Sequence, residues 1–96
     1  MKKNKALEAL ANGLLDGGFE IVTNFPGFKS HELFSMLGGK VTSVNEKIAY
    51  EIAWGASYAG KRTVVTFKNV GLNVAADPFL NSMLVGVNAG LVVIVF

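Results

Sequence analysis

The sequence predicts an α/β domain, with a parallel β-sheet as the middle of three layers and helices on both of its faces. Three observations carry this reading. Stretches with apolar residues every three or four positions alternate with short β-branched runs along the chain. The connections between them are short and marked by glycine, proline or asparagine. The last run, residues 91–96, is continuously apolar, as a strand buried on both faces reads. Such alternation demands parallel strands joined by right-handed crossovers, the layering of flavodoxin-like folds.

The elements follow in order. Asn4 caps a helix that runs to about Leu15, with Leu7, Leu10 and Leu14 on one face, and Asp16-Gly17-Gly18 ends it. Residues 19–25 form the first strand. Pro26-Gly27 turns the chain, and Ser30 caps a second helix to about Leu37, closed by Gly38-Gly39. Residues 40–44 read as a short second strand. Asn45 caps a longer helix, in which Ile48, Ala49, Ile52, Ala53 and Ala56 keep the helical period until Gly60 stops it. Residues 62–68 are a third, β-branched strand. Residues 69–73 read as a loop. Leu72, Ala75, Ala76, Phe79, Leu80, Met83 and Val87 return to helical spacing, with Pro78 kinking that helix or restarting it after Asp77. Residues 91–96 are the fourth strand. The expected strand order is 2-1-3-4, with Val65 and Val93 among the most buried residues.

Composition bounds what such a chain can do. Ninety-six residues make one small domain, and 51% hydrophobic with 17% charged residues is a globular profile. The net charge is +2 and the basic residues are scattered. Lys2, Lys3 and Lys5 read as a solvated terminus, so no nucleic-acid partner is expected. The absence of cysteine excludes disulfides, thiolate metal sites and iron–sulfur ligation within the chain. Glu8 and Asn12 interrupt the first apolar stretch, which is not a signal peptide. No segment reaches the roughly 20 apolar residues of a membrane span, so no membrane partner is expected and the default compartment is the cytoplasm. The sequence stops at the tip of a strand that should continue into a loop. Residues 1–96 are therefore expected to be a single, incomplete domain.

In parallel sheets ligands bind beyond the carboxyl ends of the strands. Residues 24–30, 44–46 and 68–73 fall there. No phosphate loop, no Gly-x-Gly-x-x-Gly after a strand and no nucleophile elbow is present. With one histidine and no cysteine, metal ligation is not expected, and His31 reads as a surface residue. Glu46 has two readings. A carboxylate in the first turn of a helix stabilises the macrodipole by about 0.3–1 kcal/mol and needs no function. Alternatively, it shares a face with Ala49 and Ala53, small residues that let something approach closely. Lys47 and Glu51 have the spacing of a surface pair.

The segment "SVNEKIAYEIAWGASYAGKRTVVTFKNVGLNVAADPF", residues 43–79, resembles the pyrimidine-binding domain of thiamine-diphosphate enzymes. Its nearest likeness is to the large subunits of indolepyruvate:ferredoxin oxidoreductases, within the 2-oxoacid:ferredoxin oxidoreductase family. "NFPGFKSHELF" is similar to the family's Tyr-Pro-Gly-Thr-Pro-Ser stretch after the first strand. The resemblance runs from about Ala6 to the last residue and is most specific in residues 44–60 and 70–78. It implies thiamine diphosphate as cofactor and a 2-oxoacid as substrate, with oxidative decarboxylation passing electrons to ferredoxin. Glu46 matches the glutamate that hydrogen-bonds N1′ of the aminopyrimidine and favours the imino tautomer that deprotonates the thiazolium C2. Phe25, Pro26, Gly27, Val70, Gly71 and Asn73 match cofactor-binding positions.

The family's Thr-Pro after Pro-Gly is Phe28-Lys29 here, which removes a hydroxyl often found near the substrate carboxylate. Asn69 stands where the closest relatives often carry histidine. The Gly-Asp-Gly…Asn motif for diphosphate and Mg2+ is absent, as are cluster-binding cysteines. The implied partners are therefore a diphosphate-binding domain or subunit, in a homo- or hetero-oligomer, and ferredoxin. Alternatives are the pyrimidine-binding subunit of a non-oxidative sulfopyruvate- or phosphonopyruvate-type decarboxylase, and a non-catalytic α/β interaction domain. A flavodoxin-like or receiver domain would share the layers, but the acidic pocket after the first strand and the phosphate loop are missing.

Overall fold

The computed structural model describes residues 4–96; Lys2 and Lys3 of the basic terminus lie outside them. The elements are α1 (Lys5–Asp16), β1 (Ile21–Asn24), α2 (Phe28–Met36), α3 (Glu46–Tyr58), β2 (Thr63–Phe67), α4 (Asn69–Val74), α5 (Ala76–Val85) and β3 (Leu91–Val95). Two helices start where side-chain caps predict. Asn4 Oδ1 accepts the Leu7 N–H at 3.0 Å, and Asn45 Oδ1 accepts the Ile48 N–H at 2.9 Å. Each satisfies a donor that the first turn cannot pair internally. Gly60, at φ +95°, takes the left-handed conformation that ends α3.

The sheet is parallel and three-stranded, in the order β1-β2-β3. Ile21 to Asn24 stand opposite Thr63 to Thr66, and Thr63 to Phe67 stand opposite Leu91 to Val95. Every residue of β2 is buried, as befits a central strand covered on both faces. On one face α3, α4 and α5 pack Ala49, Tyr50, Ala53 and Ala75 against Val65 and Phe67, with Trp54, Leu72, Phe79, Leu91 and Val93 at the margin. On the other face α1 and α2 pack Leu7, Ala11, Leu33 and Leu37 against Val64. Burying a side chain the size of Phe67 stabilises the fold by about 1.5–3 kcal/mol. The small Ala49 and Ala53 bring α3 close enough for Thr23 Oγ1 to donate to Ala49 O at 2.8 Å. The Tyr50 hydroxyl and Ser82 Oγ, 2.7 Å apart, tie α3 to α5.

Five expectations are corrected. Residues 40–44 form no strand, so the order 2-1-3-4 is not realised; the other three strands keep their expected sequence. Val41 and Val44 are 84% and 79% exposed, with nothing to bury against. A single backbone bond, Ser43 N–H to Asn24 O at 3.0 Å, ties that segment to β1. Val93 is only half-buried, because β3 is the sheet edge among the described residues; Val65 is fully buried. Residues 69–74 are the helix α4, not a loop. The break between α4 and α5 falls at Ala75, ahead of Asp77, and Pro78 sits in the first turn of α5, where its missing N–H costs nothing. Ser30 is not a cap: α2 begins at Phe28 behind Gly27, and Ser30 Oγ donates back to Gly27 O.

Candidate functional site

Three segments meet at the carboxyl-end rim. β1 ends at Asn24 and runs into Phe25-Pro26-Gly27. Residues 40–45 lead back to that point, where Ser43 holds Asn24 O, and enter α3 at Glu46. β2 ends at Phe67 and passes through Lys68 into α4, whose first N–H, that of Asn69, donates to Phe96 O at 2.6 Å. The Asn45 cap makes Glu46 the first helical residue of α3, so its carboxylate lies at the positive end of the helix dipole.

Glu46 is half-buried and lies against Gly71 in α4. A Cβ at Gly71 would contact Glu46 Cγ and would come within 2.7 Å of Oε2 and 2.9 Å of Cδ. Gly27 likewise faces Lys68, whose Cβ would lie 3.4 Å from a Cβ at position 27. The turn after β1 therefore touches the segment after β2, which in turn touches the start of α3. Of the residues singled out from sequence, Glu46 and Gly71 are in direct contact. Val70 and Asn73 are exposed on either side of Gly71 in α4. Phe25 and Gly27 are half-buried and Pro26 exposed in the β1–α2 turn. Lys47 pairs with Asp77 of α5 at 3.5 Å, instead of with Glu51.

Sequence reasoning missed three residues at this rim. Asn24 and Thr66 are register partners on β1 and β2, both fully buried. Asn24 Oδ1 and Nδ2 and Thr66 Oγ1 have no hydrogen-bond partner among the described residues. A polar residue at or next to the end of each strand was the available signal. Phe28 has φ +49°, the left-handed region that costs a side-chain-bearing residue of order 1–3 kcal/mol, and the residue is 69% exposed. Lys29 Nζ sits 5.8 Å from that ring's centroid and 3.5 Å from Glu32 Oε1. Nothing in the sequence signalled that strain.

Among the described residues no group of three or more His, Cys, Asp or Glu could hold a metal ion, and His31 is exposed. Among the described residues no helix is long and apolar enough to cross a membrane. Another carboxylate, Glu20, lies at the opposite end of the sheet. Glu20 is held below the usual carboxylate range, first by the Arg62 backbone N–H at 3.3 Å and then by Lys61 at 3.4 Å.

No family model matches the chain. Indolepyruvate oxidoreductase subunit IorA of Archaeoglobus fulgidus is 40% identical to it over 91% of the chain, and that of Pyrococcus abyssi is 38% identical over 92%. The chain spans about one-sixth of these relatives, 16% and 15% of their lengths. Among solved structures, a 2-oxoglutarate:ferredoxin oxidoreductase from Magnetococcus marinus superposes with a TM-score of 0.64 at 26% identity, covering 71% of this chain and 13% of that one. The chain is thus homologous to indolepyruvate oxidoreductase subunits IorA over most of its own length, matching about one-sixth of theirs.

Proposed function

We propose that the chain is the pyrimidine-binding part of a thiamine-diphosphate-dependent 2-oxoacid oxidoreductase, in which Glu46 exchanges a proton with N1′ of the aminopyrimidine. The carrying observation is the half-buried Glu46 carboxylate at a helix start, laid against a residue without a side chain. The residues present suit such a group: a half-buried carboxylate lies at the rim against Gly71, and Asn24 and Thr66 at the same rim carry buried polar atoms with no partner among the described residues.

When bound, thiamine diphosphate supplies the thiazolium carbon that adds to the keto carbon of a 2-oxoacid and takes up electrons as carbon dioxide leaves. The work of this chain is narrower. Glu46 holds a proton between its carboxylate and a ring nitrogen, as general acid–base chemistry requires. The Asn45 cap fixes where the side chain starts. Phe25, Pro26, Gly27, Val70 and Asn73 would border the ring. Diphosphate and Mg2+ would be held by a separate domain or subunit, since the sequence has no Gly-Asp-Gly…Asn motif, and electrons would pass to ferredoxin outside this chain.

The names of the relatives, all oxidoreductases, favour this reading over a non-oxidative decarboxylase. Indolepyruvate and 2-oxoglutarate in those names share only the 2-oxoacid group, which is the substrate class proposed. The direct test is hydrogen–deuterium exchange at C2 of bound thiamine diphosphate in the complete enzyme. Glu46→Gln should slow it by ~10²-fold or more; unchanged exchange in a folded variant would leave Glu46 as a helix-terminus charge. By the same reasoning, the 96-residue chain alone should bind thiamine diphosphate weakly. Micromolar, Mg2+-dependent binding by calorimetry would contradict the division of labour.

A further inference from the structure

We infer that Gly71 is a positioning residue for Glu46: the absence of a side chain at residue 71 leaves the space in which the Glu46 carboxylate is held. The inference rests on the reading of Glu46 given above and extends it to a residue of α4 that acts through Glu46.

A Cβ at residue 71 would meet Glu46 along three successive atoms, Cγ, Cδ and Oε2, the last two at 2.9 and 2.7 Å. Ordinary carbon contacts begin near 3.5 Å, so one partner would have to move. Neither backbone is free to do so. The Gly71 N–H donates to Lys68 O at 2.8 Å, and Gly71 O accepts the Ala75 N–H at 2.9 Å. At the other side, Asn45 holds the first turn of α3 through Ile48, and Ala49 N–H donates to Asn45 O at 3.0 Å. The flexible partner is the Glu46 side chain, and the carboxylate is what would be displaced.

The usual reasons for glycine do not apply here. Gly71 is not among the glycines with positive φ, so no left-handed turn demands it. It lies inside α4, where glycine is a poorer helix former than alanine. Close approach to Glu46 is the remaining cause. A carboxylate that passes a proton must sit within hydrogen-bond reach of the acceptor, about 2.6–3.2 Å, so a shift of an ångström disables it.

The test is a double-mutant cycle with two readouts. In melts of the 96-residue chain, Gly71→Ala should lower Tm when Glu46 is present. In the Glu46→Ala background, which removes Cγ, Cδ and both carboxylate oxygens, Gly71→Ala should raise Tm or leave it unchanged, because the helix preference for alanine is then unopposed. The same loss of Tm in both backgrounds would overturn the contact. In the complete enzyme, Gly71→Ala should slow C2 exchange of bound thiamine diphosphate by at least 10-fold while Glu46 remains in place. If Glu46→Gln slows exchange and Gly71→Ala does not, the positioning role falls and the function of Glu46 stands. If neither slows it, the cofactor reading falls and takes the positioning role with it.

Discussion

The two ends of the sheet are built on opposite principles. At the amino end, polar groups find protein partners across the strands. Glu20 accepts from the Arg62 N–H and the Lys61 ammonium, and the Arg62 guanidinium donates to Gly17 O at 3.0 Å. At the carboxyl end, polar capacity is left over. Asn24 and Thr66 are buried without protein partners, Phe28 holds a strained backbone, and Glu46 rests on bare backbone with no ion pair among the described residues. Buried polar atoms normally find partners, because leaving one unpaired costs about 1–3 kcal/mol. An end of the molecule that is locally unfavourable in three ways is the place to look for chemistry, and the other end is a clasp.

The largest test of this contrast applies one substitution at both ends. Glu46→Gln should slow C2 exchange in the complete enzyme by ~10²-fold or more while changing folding by less than about 1 kcal/mol, the macrodipole contribution. Glu20→Gln should leave the exchange rate unchanged. Equal effects on rate would erase the distinction between the two carboxylates.

A smaller effect separates satisfied from unsatisfied buried hydroxyls. Tyr50→Phe removes the partner of Ser82 Oγ, which keeps its own bond to Phe79 O at 2.7 Å. The loss should be about 1 kcal/mol, read as a fall in Tm. Thr66→Val replaces an unpaired hydroxyl with a methyl group of the same shape, and Tm should hold or rise. A clear loss of stability in Thr66→Val would mean that this hydroxyl is engaged after all.

The smallest expected effect is at the amino-end clasp. The pKa of Glu20 is depressed in the folded state by the Arg62 N–H and by Lys61. Its contribution is thus present above the ordinary carboxylate pKa and disappears as pH falls through the lowered folded value. Wild type should melt slightly above Glu20→Gln near neutral pH, and the gap should close in acid. The group is exposed, so added salt should narrow the gap as well. A gap that widened on acidification would reverse the sign of this argument.

Local signals in the sequence were read well where they act within a few residues. Asn4 and Asn45 cap the helices they precede, and Gly60 ends α3. The β-branched run that became β2 lies at the sheet centre. Signals that depend on distant cover were read less well. Residues 40–44 have strand chemistry, but nothing covers Val41 and Val44. The stretch that became α4 carries two asparagines and a glycine and reads as a loop, yet it helps close the face built on Tyr50 and Phe67. The candidate site was legible as far as Glu46 and its place after a cap; that Gly71 is its neighbour was not.

The sequence alone determined the parallel α/β layering, the Asn4 and Asn45 caps and a carboxylate at the first turn of α3, because propensity, capping and periodicity are energies of neighbouring residues. Tertiary structure decided which apolar stretches became strands, paired Asn24 with Thr66 across β1 and β2, and laid Glu46 on Gly71. Those outcomes depend on residues far apart in the chain, whose contacts exist only once the sheet has brought their strand ends together.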